Sequence, residues 1–147
     1  MIERLKHVDL KRFNIRVYGI YINRDNELLI HKENYNNRQI IKFPGGGLKL
    51  GEGCLDGLKR EFREELSTDI KIIDHFYTTD FCQISAFNPS EQIISIYYRV
   101  LPLLEPSMWI KPSFIESYFK PIAKTNPKDF TFPIDQKVAH LLLEKSL

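Results

Sequence analysis

Apolar and polar positions along the chain follow two different spacings, one typical of strands and one typical of helices. Segments rich in β-branched and aromatic residues predict six strands, at 13–22, 28–32, 39–43, 70–81, 91–101 and 117–123. The polar turn NRDNE predicts that the first two strands form a hairpin. The residues ENYNNR, at 33–38, predict a polar loop before the third strand.

Helical spacing occurs in two separate segments. In the segment 55–66 the apolar residues Leu55, Leu58, Phe62 and Leu66 fall on one side of a helix. The segment 134–145 turns Val138, Leu141 and Leu142 to one side in the same way. Several strands with two separated helices predict an α/β fold with a mixed sheet and a helix on each face.

Length and composition narrow the class of protein. A chain of 147 residues with 43% apolar residues predicts one domain, 1–147, that buries its own core. The 21 basic and 19 acidic residues nearly balance, so we expect neither a nucleic-acid partner nor a membrane partner. Two cysteines are too few for a disulfide framework, and the charged opening has no apolar signal segment. These features predict a cytoplasmic protein with reduced thiols.

An unusual glycine-rich stretch stands directly before the first predicted helix. FPGGGLKLGEG, at 43–53, holds five of the seven glycines, yet it lacks the Gly-Lys-Ser or Gly-Lys-Thr of a Walker phosphate loop. On the helix that follows, Glu61, Glu64 and Glu65 fall within an arc of about 100° beside the apolar stripe. Converging carboxylates without nearby His or Cys favour Mg²⁺ or Mn²⁺ over zinc, whereas an acidic solvated face is the simpler alternative.

The glycine stretch and the helix together resemble the signature box of the Nudix hydrolases, G-x5-E-x7-R-E-U-x-E-E-x-G-U, where U is a bulky aliphatic residue. Residues 46–68 fill seven of its nine specified positions acceptably, with Phe62 in the first U position. Ser67 and Thr68 replace the final glycine and aliphatic residue, so the end of the helix is not defined by the box; Ile70 is expected to supply the missing apolar contact.

The resemblance implies a fold, a reaction and a set of site residues. The implied fold is the Nudix-type α/β/α sandwich with a mixed β-sheet. The implied metal ligands for Mg²⁺ or Mn²⁺ are the Gly45 carbonyl with Glu61, Glu64 and Glu65. Glu52 would support the site and Arg60 would orient the glutamates, so the implied catalytic residues are Glu52, Arg60, Glu61 and Glu64. The implied function is hydrolysis of the diphosphate linkage of a nucleoside diphosphate derivative, which makes a small nucleotide the expected partner.

The sequence leaves several alternatives open. The substrate is a nucleotide sugar, a dinucleotide or a nucleoside triphosphate, and the alternative function is a catalytically silent nucleotide or ADP-ribose sensor. The residue that takes the proton of water is Glu64 or a later acid, with Glu91 and Glu116 as candidates. The aromatic residues are expected in the core rather than against a base, and a homodimer is left open. The dispersed histidines are each expected to be structural or exposed: His7, His31, His75 and His140.

Overall fold

The structure is a computed structural model that describes residues 9–145, so His7 lies outside the described residues. Residues 9–145 contain eight strands and two α-helices. The strands are β1 Arg12–Ile20, β2 Glu27–Tyr35, β3 Arg38–Lys42, β4 Gly45–Gly47, β5 Ile70–Thr78, β6 Gln83–Ile84, β7 Glu91–Pro102 and β8 Ile115–Pro121. The helices are α1 Cys54–Leu66 and α2 Pro133–Lys145. None of the helices within residues 9–145 is long and apolar enough to cross a membrane.

The strands form two sheets. The larger sheet has the order β4-β1-β7-β5, with β6 also paired to β7, and the smaller has the order β3-β2-β8. Strands β1 and β7 are parallel, whereas the other pairs are antiparallel. The predicted mixed sheet is therefore confirmed.

Each helix packs on a different face of the sheets. Val17 and Leu29 contact the core cluster that contains Leu58 and Phe62 of α1. The adjacent residue Tyr18 belongs instead to the cluster of α2. Because neighbouring residues of a strand point to opposite faces, this division confirms the predicted arrangement with a helix on each side.

The predicted hairpin between the first two strands is wrong except beside its turn. There the antiparallel bridge between Ile22 and Leu28 is flanked by backbone hydrogen bonds from Asn23 N–H to the Glu27 carbonyl and from Leu29 N–H to the Tyr21 carbonyl. Strands β1 and β2 themselves belong to different sheets. The NRDNE turn is present, with Asn26 in the left-handed region at φ 59°. The residues of a turn predict that the chain reverses there. They do not predict which sheet the strands on either side of the turn will join.

The predicted loop at 33–38 is also wrong. Strand β2 continues to Tyr35 and β3 begins at Arg38, so Asn36 and Asn37 alone form the connection. Their φ values of 49° and 60° fit a two-residue type I′ hairpin turn. Asparagine tolerates this backbone region, which explains how a polar segment forms a tight hairpin.

Helix α1 departs from the prediction at its first turn and ends at the predicted residue, Leu66. Leu55 is 44% exposed, and Cys54 packs against the core cluster instead. At the other end Ser67 adopts φ 54° and ψ 35°, and its N–H donates to the Arg63 carbonyl. Ser67 thus provides the left-handed helix end that glycine supplies in the Nudix box. Ile70 is buried in the α1 cluster, as predicted.

Candidate functional site

The three glutamates of α1 differ in exposure. The Glu61 and Glu65 side chains are 12% and 9% exposed, whereas the Glu64 side chain is 54% exposed. Two of the predicted carboxylates are therefore held inside the molecule and the third lies at its surface. The acidic face is not a plain solvated one.

Strand β4 consists of three glycines and lies at the edge of the larger sheet, between α1 and a cavity. A Cβ atom on Gly46 would lie 2.8 Å from the Glu61 carboxylate. Gly45 has φ +141°, and a Cβ there would lie 2.1 Å from the Val17 carbonyl oxygen. The absence of side chains lets the Glu61 carboxylate approach this strand closely.

The Gly45 peptide is held on both sides. Its N–H donates to Glu65 Oε1 at 3.1 Å, and its carbonyl oxygen accepts from Lys42 Nζ at 3.0 Å. Lys42 is buried and also contacts Glu33 Oε2 at 3.3 Å. A buried lysine thus supplies positive charge beside the implied metal ligands Gly45 and Glu65.

Arg60 connects the acidic residues. Its Nε donates to both oxygens of Glu52, at 3.2 and 3.0 Å, and its Nη2 donates to the Gly47 carbonyl at 2.9 Å. Its Nη1 donates to Glu61 Oε1 at 3.0 Å and to Glu64 Oε2 at 3.3 Å. These bonds match the orienting contacts that the resemblance implies for Arg60, and they leave a second oxygen on both Glu61 and Glu64.

The carboxylates have shifted pKa values because their surroundings differ. Burial, followed by repulsion from Glu65, raises the pKa of Glu61 to about 7. Burial raises the pKa of Glu65 to about 7, against the charge of Lys42. The hydrogen bonds from Arg60 lower the pKa of Glu52 to about 2. Glu52 is therefore ionised at neutral pH, whereas Glu61 and Glu65 repel each other and favour a nearby cation.

The oxygen donors suit a hard dication. Carboxylate and carbonyl oxygens are the ligands that Mg²⁺ and Mn²⁺ prefer. Burial of two repelling carboxylates is a second observation that fits a positive ion. No group of three or more His, Cys, Asp or Glu side chains within residues 9–145 is already arranged to hold a metal ion.

A cavity of about 590 Å³ opens beside the carboxylates. Its lining includes Glu61, Glu65 and the glycines of β4, together with Phe132–Asp135 at the start of α2. Asp135 is buried, accepts a hydrogen bond from the Tyr97 hydroxyl, and has its pKa raised to about 6 by burial. The volume lies within the range of small-molecule sites, roughly 300–1,000 Å³.

The other sequence candidates are placed unequally. Glu91 lines the cavity, but Arg12 Nε donates to it at 2.8 Å. Glu116 is exposed in β8 and is not among the residues that line the cavity. Of the aromatic candidates, Tyr18 and Tyr97 are buried and also line the cavity.

Sequence reasoning misses four side chains near the site. Lys42 and Glu33 fall in segments assigned to a strand and a loop, and Arg16 falls in a strand. His31 is buried, with Nδ1 3.4 Å from Glu65 Oε1, whereas His75 and His140 are exposed. Alternation along β1 places Arg16 beside Tyr18 on one face, which is the one sequence signal for any of them.

Comparison with known proteins identifies the family. Residues 12–138 match the family model described as the NUDIX domain. The chain belongs to the Nudix family. Comparison with the curated proteins finds no match.

Solved structures of Nudix proteins share the fold. A MutT protein from Methanosarcina mazei Go1 is 18% identical with a TM-score of 0.73, over 92% of this chain and 96% of that one. A MutT from work on Aliivibrio salmonicida and Vibrio cholerae is 21% identical with a TM-score of 0.68, over 92% and 99%. A NUDIX hydrolase from Nitrosomonas europaea is 17% identical with a TM-score of 0.67, over 92% and 72%. Together with the family match, they confirm the predicted fold and the predicted class, a Nudix pyrophosphohydrolase.

Proposed function

We propose that this Nudix protein hydrolyses the diphosphate linkage of a nucleoside diphosphate derivative in a reaction that depends on Mg²⁺ or Mn²⁺. The products are a nucleoside monophosphate and the phosphorylated remainder of the substrate. The observation that carries the proposal is the glycine strand β4, which brings the carboxylates of α1 to the wall of a ligand-sized cavity. Nucleotide sugars, dinucleotides and nucleoside triphosphates are the substrate classes to compare.

Each site residue has a separate part in this proposal. The Gly45 carbonyl with Glu61, Glu64 and Glu65 holds the cation. Arg60 orients Glu61 and Glu64 through hydrogen bonds of 3.0 and 3.3 Å. Glu52 stays ionised and fixes the guanidinium group, so its effect on the reaction is exerted through Arg60.

The chemistry requires charge neutralisation and a base. A cation held by the Gly45 carbonyl and the three glutamates would neutralise phosphate charge and lower the pKa of a bound water. We assign the acceptance of the water's proton to Glu64, because it is the most exposed carboxylate of the three and has one oxygen free of Arg60. Glu91 is paired with Arg12, and Glu116 lies in β8 of the smaller sheet rather than on α1 with the other carboxylates, so neither is assigned this part.

Substitution of Glu64 tests the proposal. Glu64→Gln preserves size but removes the charge and the basic oxygen, so we expect kcat/KM to fall by about 10²–10⁴-fold. The assay measures release of phosphate or nucleoside monophosphate with Mg²⁺ over the three substrate classes. Asp56→Asn is the matched control, since Asp56 is an exposed acid in the first turn of the same helix.

Two results would contradict the proposal. Equal rates for Glu64→Gln and the unmodified protein would reject the site. Tight nucleotide binding without turnover of any compound would favour the sensor instead. The cytoplasmic location and the homodimer stay predictions.

A further inference from the structure

Arg16 occupies an unusual position on the cavity wall. Strand β1 pairs with β4 and β7, so that Arg16 lies opposite Gly47 on one side and Ser95 on the other. Alternation along the strand puts Asn14, Arg16 and Tyr18 on the face that lines the cavity. The guanidinium group is thus separated from the acidic helix by a strand without side chains.

The Arg16 side chain is fixed by Tyr18. Arg16 Nε donates to the Tyr18 hydroxyl at 2.6 Å, and the guanidinium carbon lies 5.7 Å from the centre of the Tyr18 ring. The terminal amino groups of Arg16 make no hydrogen bond, and no carboxylate lies within 4.0 Å, among residues 9–145. The guanidinium group is therefore oriented by Tyr18, while both of its terminal amino groups are free to bind another molecule.

The neighbouring cations are all paired. Arg12, four residues earlier on the same strand, contacts Glu91, and Lys42 contacts Glu33. Arg60 contacts three glutamates. Tyr18 and the more distant charges of Glu61 and Asp135 favour the charged form of Arg16, but within residues 9–145 no carboxylate pairs with it directly. Arg16 is therefore the cation on this wall whose terminal amino groups are available to an anion from outside the chain.

The position of Arg16 defines that anion. A Cβ on Gly47 would lie 3.6 Å from Arg16 Nη1, so the missing side chain keeps the approach from β4 open. Gly46, the neighbour of Gly47 on the same strand, lies against Glu61, since a Cβ there would be 2.8 Å from the Glu61 carboxylate, so the acidic site is near. Two free amino groups in one plane match the oxygens of a phosphate.

We propose that Arg16 binds the non-bridging oxygens of one phosphate of the substrate, the phosphate that carries the group held in the cavity. This inference rests on the proposed function, since it assumes a diphosphate beside the α1 carboxylates. Arg16 would contact the diphosphate from the cavity side of β4 while the carboxylates act from the helix side. Tyr18 positions Arg16 through the bond to Nε.

Binding of methylenediphosphonate, a diphosphate that cannot be hydrolysed, tests the inference. Isothermal titration with Mg²⁺ compares the unmodified protein with Arg16→Gln, Arg16→Lys and Arg12→Gln. Loss of a bidentate, charge-assisted contact predicts about 10- to 100-fold weaker binding for Arg16→Gln. Arg16→Lys keeps the charge without the fork, so a smaller loss is expected. Arg12→Gln is the matched control and should bind within about twofold of the unmodified protein.

Thermal melting separates a lost contact from a lost fold. An unchanged Tm with weakened binding supports the inference. Equal affinity of Arg16→Gln and the unmodified protein overturns it, and so does the absence of binding to the unmodified protein. If Arg16→Gln does not fold, Arg16→Lys is compared with a second control, Arg12→Lys. Weaker diphosphate binding by Arg16→Lys than by Arg12→Lys supports the inference, and equal binding overturns it.

Failure of this inference is distinguishable from failure of the proposed function. If Glu64→Gln abolishes turnover while Arg16→Gln binds normally, the function stands and the role of Arg16 falls. If binding depends on Arg16 but no substrate is hydrolysed, the role of Arg16 stands and the function falls.

Discussion

Ser67 offers a sharp test of the helix end that positions the acidic residues. It holds φ 54°, a region in which a residue with a Cβ costs roughly 1–2 kcal/mol more than in the right-handed region. Glycine relieves this strain but increases the entropy of the unfolded chain, which offsets about 0.4–1 kcal/mol. We therefore expect Ser67→Gly to be more stable than Ser67→Ala by about 1 kcal/mol. For a chain of this length that difference raises Tm by about 2–4 °C.

The matched pair lies within the same helix. At Lys59, in the helix interior, alanine should be more stable than glycine by about 1 kcal/mol, so the order of the two substitutions reverses. Thermal melting followed by circular dichroism measures all four variants. Using alanine and glycine at both sites removes the contribution of the hydrogen bond from Ser67 Oγ to the Ile110 carbonyl, 3.2 Å long. Ser67→Ala at least as stable as Ser67→Gly would refute the assignment of a strained helix end.

Two further predictions concern the site. Gly46→Ala places a Cβ 2.8 Å from the Glu61 carboxylate, which must move, so kcat/KM should fall at least tenfold while Tm is nearly unchanged. Gly53→Ala is the control, because a Cβ there has no neighbour within 4 Å. Equal activity of the two variants would refute the prediction. Burial lowers the pKa of His31 to about 3 in the folded protein, whereas the unfolded value is about 6.5. Between these pH values the unfolded chain binds one more proton than the folded protein. The free energy of unfolding therefore declines by up to about 1.4 kcal/mol for each unit by which the pH falls. Urea unfolding at pH 7 and 5 should show this loss reduced in His31→Gln but not in His140→Gln; parallel losses in all three proteins would refute the assignment.

The sequence predicts best what depends on residues close in the chain. The spacing of Glu61, Glu64 and Glu65 is local, so their common helix face follows from the order of residues alone. Leu55 is the exception, because the first turn presents Cys54, one position earlier, to the core and leaves Leu55 exposed. The sheet that an arm of a turn joins depends on distant strands, which is why the arms of the NRDNE turn pair only beside the turn and then enter different sheets.

The missed side chains depend on pairings that the local sequence does not specify. Lys42 meets the Gly45 carbonyl and Glu33, and the pairing with Glu33 is missed because residues 33–38 are predicted as a loop and not as part of the hairpin of β2 and β3. His31 reaches Glu65 across thirty-four positions, and Asp135 reaches Tyr97 across thirty-eight. No periodicity encodes such pairs, and their residue types are common in unrelated proteins. The residues of the Nudix box are therefore predictable, and the residues that surround them are not.

Strand β4 lies between two surfaces, the acidic face of α1 and the cavity wall formed by β1 and β7. In the proposed reaction, residues on the helix side are restricted, because any shift of Glu61 or Glu65 would alter the charge presented to phosphorus. Residues on the β1 and β7 side line the cavity proposed for the group attached to the phosphates, and substitutions there do not change the residues of α1. Related chains can therefore differ in the group they select by changing single residues of the cavity wall. The acidic residues of α1 can stay the same in all of them.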